Sequence, residues 1–301
     1  MQHILVATDL SERAAKALRC GLRLALRFGA RLTVLHVVDA DQPLNIRDEA
    51  LHRSRAWLEQ EMAARPADGV EVSVEVIPGT PDATVIEIAE RDAADLVVMG
   101  AHRRHLLRDV FVGTTIERVI RGTALPVLLV NREPEAAYGK ALVAVDFSDT
   151  SERALSVAAG LSFLEAEEVV LLHAFQSVDR AVLAAGGADP KLIEAHAIKT
   201  AGEALGTLRR MADRHAATDA SAVTLRTLLE EGPAVAVIER VVSHEAIPLV
   251  VMGSRGHSGV LRWLLGSTAE SYLRTTTTAD VLVVSPARAA ETDEDEPPAQ
   301  M

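Results

Sequence analysis

Leu249 to Thr268 read LVVMGSRGHSGVLRWLLGST: an apolar run, then Gly253, Gly256 and Gly266, the last followed at once by Ser267 and Thr268. Leu249 to Met252 has the length and branching of a parallel strand buried on both faces, and Gly253 ends it. AESYLR, directly after Thr268, reads as a helix. Strand, glycine loop and helix in that order place a ligand at the carboxyl end of a parallel sheet. Gly253 and Gly256 are expected to turn with φ above zero and to let main-chain N–H groups approach an oxyanion with no Cβ in the way. Gly266, Ser267 and Thr268 open the helix, so its first N–H groups and hydroxyls face the same point. The stretch reads as a phosphate cradle, against the plainer alternative of ordinary loop glycines. It has no closing Lys-Ser/Thr pair and no G-x-G-x-x-G spacing, so it is neither a Walker loop nor a dinucleotide fingerprint.

This strand has a twin. LVVMGAH at Leu96 to His102 matches LVVMGSR at Leu249 to Arg255, a shift of 153 residues (249 minus 96). LVATDLS at Leu5 to Ser11 matches LVAVDFS at Leu142 to Ser148, a shift of 137 (142 minus 5). The chain is a duplication, with 16 extra residues (153 minus 137) in the second copy around Ala184 to Lys199. Each copy alternates apolar runs with amphipathic ones, which predicts an open parallel sheet covered on both faces. Strands are expected near 3–8, 31–37, 70–77, 95–100 and 127–131, and again near 140–146, 168–174, 222–229, 248–253 and 281–285. Pro81 and Pro233 mark the start of the third helix of each copy, where a fixed φ is tolerated. The fold class is α/β: two repeated doubly wound domains, each a five-stranded parallel sheet flanked by helices. The domains are expected at 1–132 and 140–287, joined by a linker at 133–139, with the acidic run 288–301 as a disordered tail.

With 301 residues, 49% hydrophobic and 25% charged, the chain can bury the cores of about two domains. A formal net charge of -12 and a pI near 5.3 speak against nucleic acid as a partner, because neutralising phosphates needs clustered Lys and Arg. The chain opens directly on MQHILVATD, without the charged and apolar regions of a secretory signal, and holds no uncharged apolar run of about 18 residues. A cytoplasmic location without membrane contact is the expectation. Cys20, the single cysteine, lies in the first amphipathic helix and is expected to be a small buried hydrophobe.

The pattern G-x-x-G, nine residues, G-Ser/Thr, placed after the fourth strand, resembles the ATP-binding signature of the universal stress protein family. Taken with the repeat, the resemblance covers nearly the whole chain, and the layout is similar to the tandem type, in which two such domains share one polypeptide. It implies a Rossmann-like, adenine nucleotide alpha hydrolase-like fold, and a nucleotide in the second copy. By that resemblance Asp146 and the backbone near His173 and Ala174 line the adenosine side. Met252, Gly253, Arg255 and Gly256 flank the ribose and phosphates, and Gly266, Ser267 and Thr268 hold the phosphate tail. Asp146 also reads as a cap for the helix beginning near Asp149, and the two roles are compatible. The run 257–265, with Trp263, reads as a short helix packed over the loop.

In the first copy Asp9, Gly100, Gly113, Thr114 and Thr115 match the pattern, but Arg103 stands where the second glycine belongs and brings a Cβ. Either Arg103 and Arg104 hold phosphate as cations or this site has lost its nucleotide. Loss is expected, because a guanidinium fills the cradle as well as charging it. His102, His105 and Asp109 do not complete a tetrahedral zinc set, so no metal is expected beyond a Mg2+ that accompanies nucleotide.

The resemblance implies a stress-response protein that binds ATP, or ADP or AMP, chiefly in the second copy, and regulates an unidentified protein partner in response. With no Walker lysine, identifiable arginine finger or oriented base, binding rather than turnover is expected. A slow ATPase or nucleotidyl-transfer enzyme, and a scaffold without nucleotide, are the alternatives. The two copies are expected to pair through their fifth strands as an intrachain pseudo-dimer, as subunits of single-domain members do, with a further homodimer left open.

Overall fold

The apolar runs become strands because each can be buried on both faces at once. The structure, a computed structural model, describes residues 1–65, 67, 69–101, 114–134, 137–161, 165–176, 189–216, 223–256, 265–276 and 278–287. Its strands are β1 His3–Thr8, β2 Arg31–Asp39, β3 Val72–Gly79, β4 Leu96–Gly100, β5 Val127–Val130, β6 Gly139–Ala144, β7 Ala166–Phe175, β8 Thr224–Glu231, β9 Leu249–Gly253 and β10 Asp280–Val284. The helices are α1 Glu12–Phe28, α2 Leu44–Ala63, α3 Pro81–Arg91, α4 Thr115–Gly122, α5 Asp149–Gly160, α6 Pro190–Ala216, α7 Ala234–Glu245 and α8 Ser267–Thr275. Every strand lies where its apolar run predicts, to within two residues at either end.

The strand order is β3-β2-β1-β4-β5-β10-β9-β6-β7-β8. α1, α2, α5 and α6 cover one face of this sheet, and α3, α4, α7 and α8 cover the other. Neighbouring strands are parallel except β5 and β10, which pair antiparallel with Leu129 opposite Val281 and Val127 opposite Val283. The two five-stranded sheets therefore fuse, through their fifth strands as expected, into one sheet of ten. Fusion pairs two edges that would otherwise present unsatisfied N–H and C=O groups. Because the pairing reverses direction, the strands of one half end at the opposite margin of the sheet from those of the other.

Side chains lock this join. Tyr138 Oη donates to Asp280 Oδ2 at 2.8 Å, while Asp280 Oδ1 accepts from the N–H groups of Asn131 at 2.8 Å and Arg132 at 2.9 Å. Asp280 is buried, and burial holds its carboxyl above the ordinary range. Cys20 Sγ lies 3.6 Å from Tyr138 Oη, and burial pushes the thiol up to about 11, so it is the inert hydrophobe expected. Arg23 of α1 reaches Glu165, ahead of β7, at 2.5 Å, and lies over the Tyr138 ring at 5.2 Å. From the other half, Arg153 of α5 donates to the main-chain oxygen of Ala124 at 3.1 Å.

α6 has 27 residues against 20 in its counterpart α2, so part of the expected insertion lengthens this helix. Pro81 is the first residue of α3, whereas Pro233 stands just outside α7 as its N-cap. The expected tail at 288–301 lies outside the described residues.

Candidate functional site

At the carboxyl ends of β6, β7 and β9 the chain encloses a cavity of about 270 Å3, near the lower end of the range for small-molecule pockets. Asp146, Ala174, Met252, Gly253, Arg255, Gly256, Gly266, Ser267 and Thr268 all line it. Nine of the second-copy residues singled out in the sequence thus meet at one place, while His173 stays outside the lining. Ser151 of α5 and Ala234 and Ile238 of α7 are also in the wall, and nothing in the glycine spacing points to them.

The glycines act through space rather than through torsion, which corrects the expectation of positive φ. Gly253, Gly256 and Gly266 are not among the glycines with positive φ, and Gly266 has φ -63. A Cβ on Gly256 would stand 2.3 Å from Asp146 Oδ2. One on Gly253 would stand 3.0 Å from Thr150 Cγ2, and one on Gly266 3.3 Å from Arg255 Cα and the oxygen of Ser254. Gly266 N–H donates to that same Ser254 oxygen at 2.7 Å, tying the two arms of the loop together. The arms and the Asp146 carboxylate close on one another too tightly for side chains.

Left-handed backbone falls instead on Phe147, φ 65, and on its first-copy counterpart Leu10, φ 61. Such a conformation costs a non-glycine residue roughly 1 kcal/mol, so it persists only where its surroundings hold it. Here it lets Asp146 Oδ1 accept from both the N–H and the hydroxyl of Ser148, at 3.1 and 2.6 Å. Ser148, not Asp146, is the cap of α5: its Oγ accepts from Ser151 N–H at 3.2 Å with φ -75 and ψ 157. Asp146 therefore braces the cap with one oxygen and sets the other against Gly256.

At the far wall, Gly266 is the N-cap of α8 and supplies no side-chain acceptor. The first N–H groups of α8 carry the positive end of the helix dipole toward the cavity with no side-chain cap from Gly266. His173 is a satisfied strand-end residue, since its Nδ1–H donates to the Val145 oxygen at 2.8 Å and its ring centroid lies 4.1 Å from that of Phe147.

The first half builds the equivalent cavity, about 500 Å3, from the ends of β1, β2 and β4 and the starts of α1, α3 and α4. Asp9, Gly100, Thr114 and Thr115 line it. Arg103 and Gly113 lie outside the described residues, as do His102, Arg104, His105, Asp109 and the run 257–264 with Trp263. Thr114 caps α4, its Oγ1 accepting from Glu117 N–H at 3.2 Å, so this helix start is closed where that of α8 is open. Arg13 and Arg118 also line the cavity, and motif reading missed them. The signal was in the repeat: shifts of 137 and 153 set them against Thr150 and Ser271.

Among the described residues no helix is long and apolar enough to cross a membrane. The model of the universal stress protein family matches residues 1–131 and again residues 137–285. Universal stress protein Rv2005c of Mycobacterium tuberculosis is 27% identical over 290 residues, spanning 90% of this chain and 94% of that protein. Universal stress protein E of Salmonella typhi is 25% identical over 309 residues, spanning 95% and 94%. In three dimensions, a universal stress protein from Archaeoglobus fulgidus shares the fold over 94% of this chain and 98% of its own, with a TM-score of 0.65 at 22% identity. Two family matches end to end, on two halves that repeat the same sheet, leave one conclusion: the chain belongs to the universal stress protein family, as a tandem member with two such domains on one polypeptide.

Proposed function

We propose that this protein binds ATP, or the related ADP or AMP, in its second half, residues 140–287, and acts as a nucleotide-dependent regulator of a protein partner rather than as an enzyme. The observation that supports this reading is the gathering of nine expected residues around one cavity whose floor is kept open by Gly256. Its walls suit the two ends of a nucleotide. Asp146 and the Ala174 main chain serve the adenosine end, with Met252 and Arg255 beside the ribose and phosphates. Gly266, Ser267 and Thr268 offer the start of α8, which Gly266 leaves without a side-chain cap, to the phosphate tail, where an oxyanion satisfies free N–H groups of a helix start. Arg255 adds a guanidinium suited to phosphate oxygens. Any Mg2+ enters with the phosphates.

The test is to denature the purified protein, identify released nucleotide by mass spectrometry, and titrate ATP into the emptied protein by calorimetry. An adenine nucleotide in the first experiment, or saturable ATP binding in the second, is the expected result. Absence of both release and binding would sink the reading. A single-turnover assay is expected to recover the ATP intact, and prompt appearance of ADP or AMP would make the protein an enzyme.

A further inference from the structure

We propose that the second cavity has a competitor built into the chain: the acidic run Glu291 to Glu296 folds back onto the start of α8 and occupies the phosphate end until a nucleotide displaces it. The inference rests on the nucleotide reading above and adds a regulator of that same site. Hydrogen bonds fix where the chain leaves the fold. β10 runs parallel to β9 with Val284 opposite Gly253, so it ends at the margin where the cavity opens. The Val284 oxygen accepts from Ser254 N–H at 2.8 Å, and the Ser254 oxygen accepts from Gly266 N–H at 2.7 Å. Two hydrogen bonds thus link the last residue of β10 to the N-cap of α8. Ser285 is buried and held, its main-chain oxygen accepting from Arg153 Nε at 2.9 Å and its hydroxyl donating to the Ile120 oxygen at 2.6 Å.

Ala287 is exposed, and five carboxylates follow it in the sequence, at Glu291, Asp293, Glu294, Asp295 and Glu296. Neighbouring strands lie about 4.8 Å apart, which sets the cavity mouth at β9 and β6 about 5–10 Å from the end of β10. Four to nine residues of chain span up to about 13–30 Å, so each of these carboxylates can reach it. A helix start without a side-chain cap, together with the Arg255 guanidinium, suits carboxylate oxygens as it suits phosphate oxygens. The first half shows the alternative destination and why the second lacks it. After β5, Glu133 turns back onto α1 and pairs with Lys16 at 3.5 Å and Arg19 at 2.6 Å. The shift of 137 sets Arg153 and Ser156 in those two positions, and Arg153 is already committed to the main-chain oxygens of Ser285 and Ala124. α5 therefore offers the acidic run no basic pair, whereas the cavity beside it offers an anion site. A tether this short gives the run a millimolar effective concentration, enough to compete even where a separate peptide binds weakly.

The test compares ATP titrations of the unmodified chain and of a full-length variant carrying Glu291→Gln, Asp293→Asn, Glu294→Gln, Asp295→Asn and Glu296→Gln. The variant is expected to bind ATP at least about threefold more tightly. Equal affinities overturn this inference and leave the nucleotide reading standing, whereas no ATP binding by either protein defeats both. Nitrogen-15 NMR of the unmodified chain separates occupancy of the cavity from long-range repulsion. On addition of ATP or inorganic tripolyphosphate, the amide signals of 291–296 are expected to move to the positions of a detached peptide of the same sequence. Adenosine is expected to leave them in place. Signals that stand at the peptide positions before any ligand is added overturn the proposal, and so does displacement by adenosine.

Discussion

At Gly256 a single absent methyl group decides whether the second cavity has a floor. A Cβ there meets Asp146 Oδ2 at 2.3 Å, so the carboxylate must swing away and loosen its hold on Ser148. Gly256→Ala is expected to weaken ATP binding about tenfold or more while costing about 1 kcal/mol of stability, a fall of roughly 2–4 °C in Tm. Titration and melting of the same variant check both halves of that statement. Cys20 gives a second expectation at this scale. With its thiol pushed up to about 11 by burial, it should resist a thiol reagent at pH 8 in the folded protein and react once the chain is unfolded. Residues such as Gly266 and Thr268 were legible because the spacing of a loop that folds on itself is written in the chain. The reason for those glycines was not legible: spacing carries no torsion, and the left-handed residues beside the two cavities proved to be Leu10 and Phe147, whose bulk gives no hint of it.

Among the elements, α5 and α1 show how a helix start is fixed. Ser148→Ala removes the acceptor for Ser151 N–H and the partner of Asp146, and is expected to cost about 1 kcal/mol in a urea melt. Gly100→Ala drives a Cβ to 2.9 Å from main-chain atoms of α1, which no rotamer change relieves; a loss of about 1–3 kcal/mol is expected. Strands were readable because a sheet covered on both faces demands unbroken apolar runs, as in LVVMG of β4 and β9. Helix ends were less so. Pro233 suits either a first turn or a cap, and Asp146 and Ser148 are both good caps, so only the left-handed turn between them decides which residue is used.

Across the whole molecule, the join between halves rests on a buried carboxylate. Desolvation raises the folded pKa of Asp280 above its unfolded value near 4, so the stability it contributes is greatest below that value and declines as the pH rises through the folded pKa. Asp280→Asn keeps an acceptor for Asn131 and Arg132 and a donor for Tyr138 without the charge. Its stability relative to wild type is therefore expected to grow as the pH is raised from about 4 toward 7, read from urea midpoints at each pH. Asp280→Leu strands three polar groups instead and is expected to cost at least about 3 kcal/mol. The meeting of β5 and β10 could be expected from the family resemblance, but Tyr138 and Asp280 have no counterpart pattern to betray them, since they bridge parts of the chain that no period connects. The reversal of direction at that join also governs who can listen. The two pockets look away from each other, so a protein docking beside one of them is deaf to the other. In the proposed role, whatever the halves hold is announced to separate audiences.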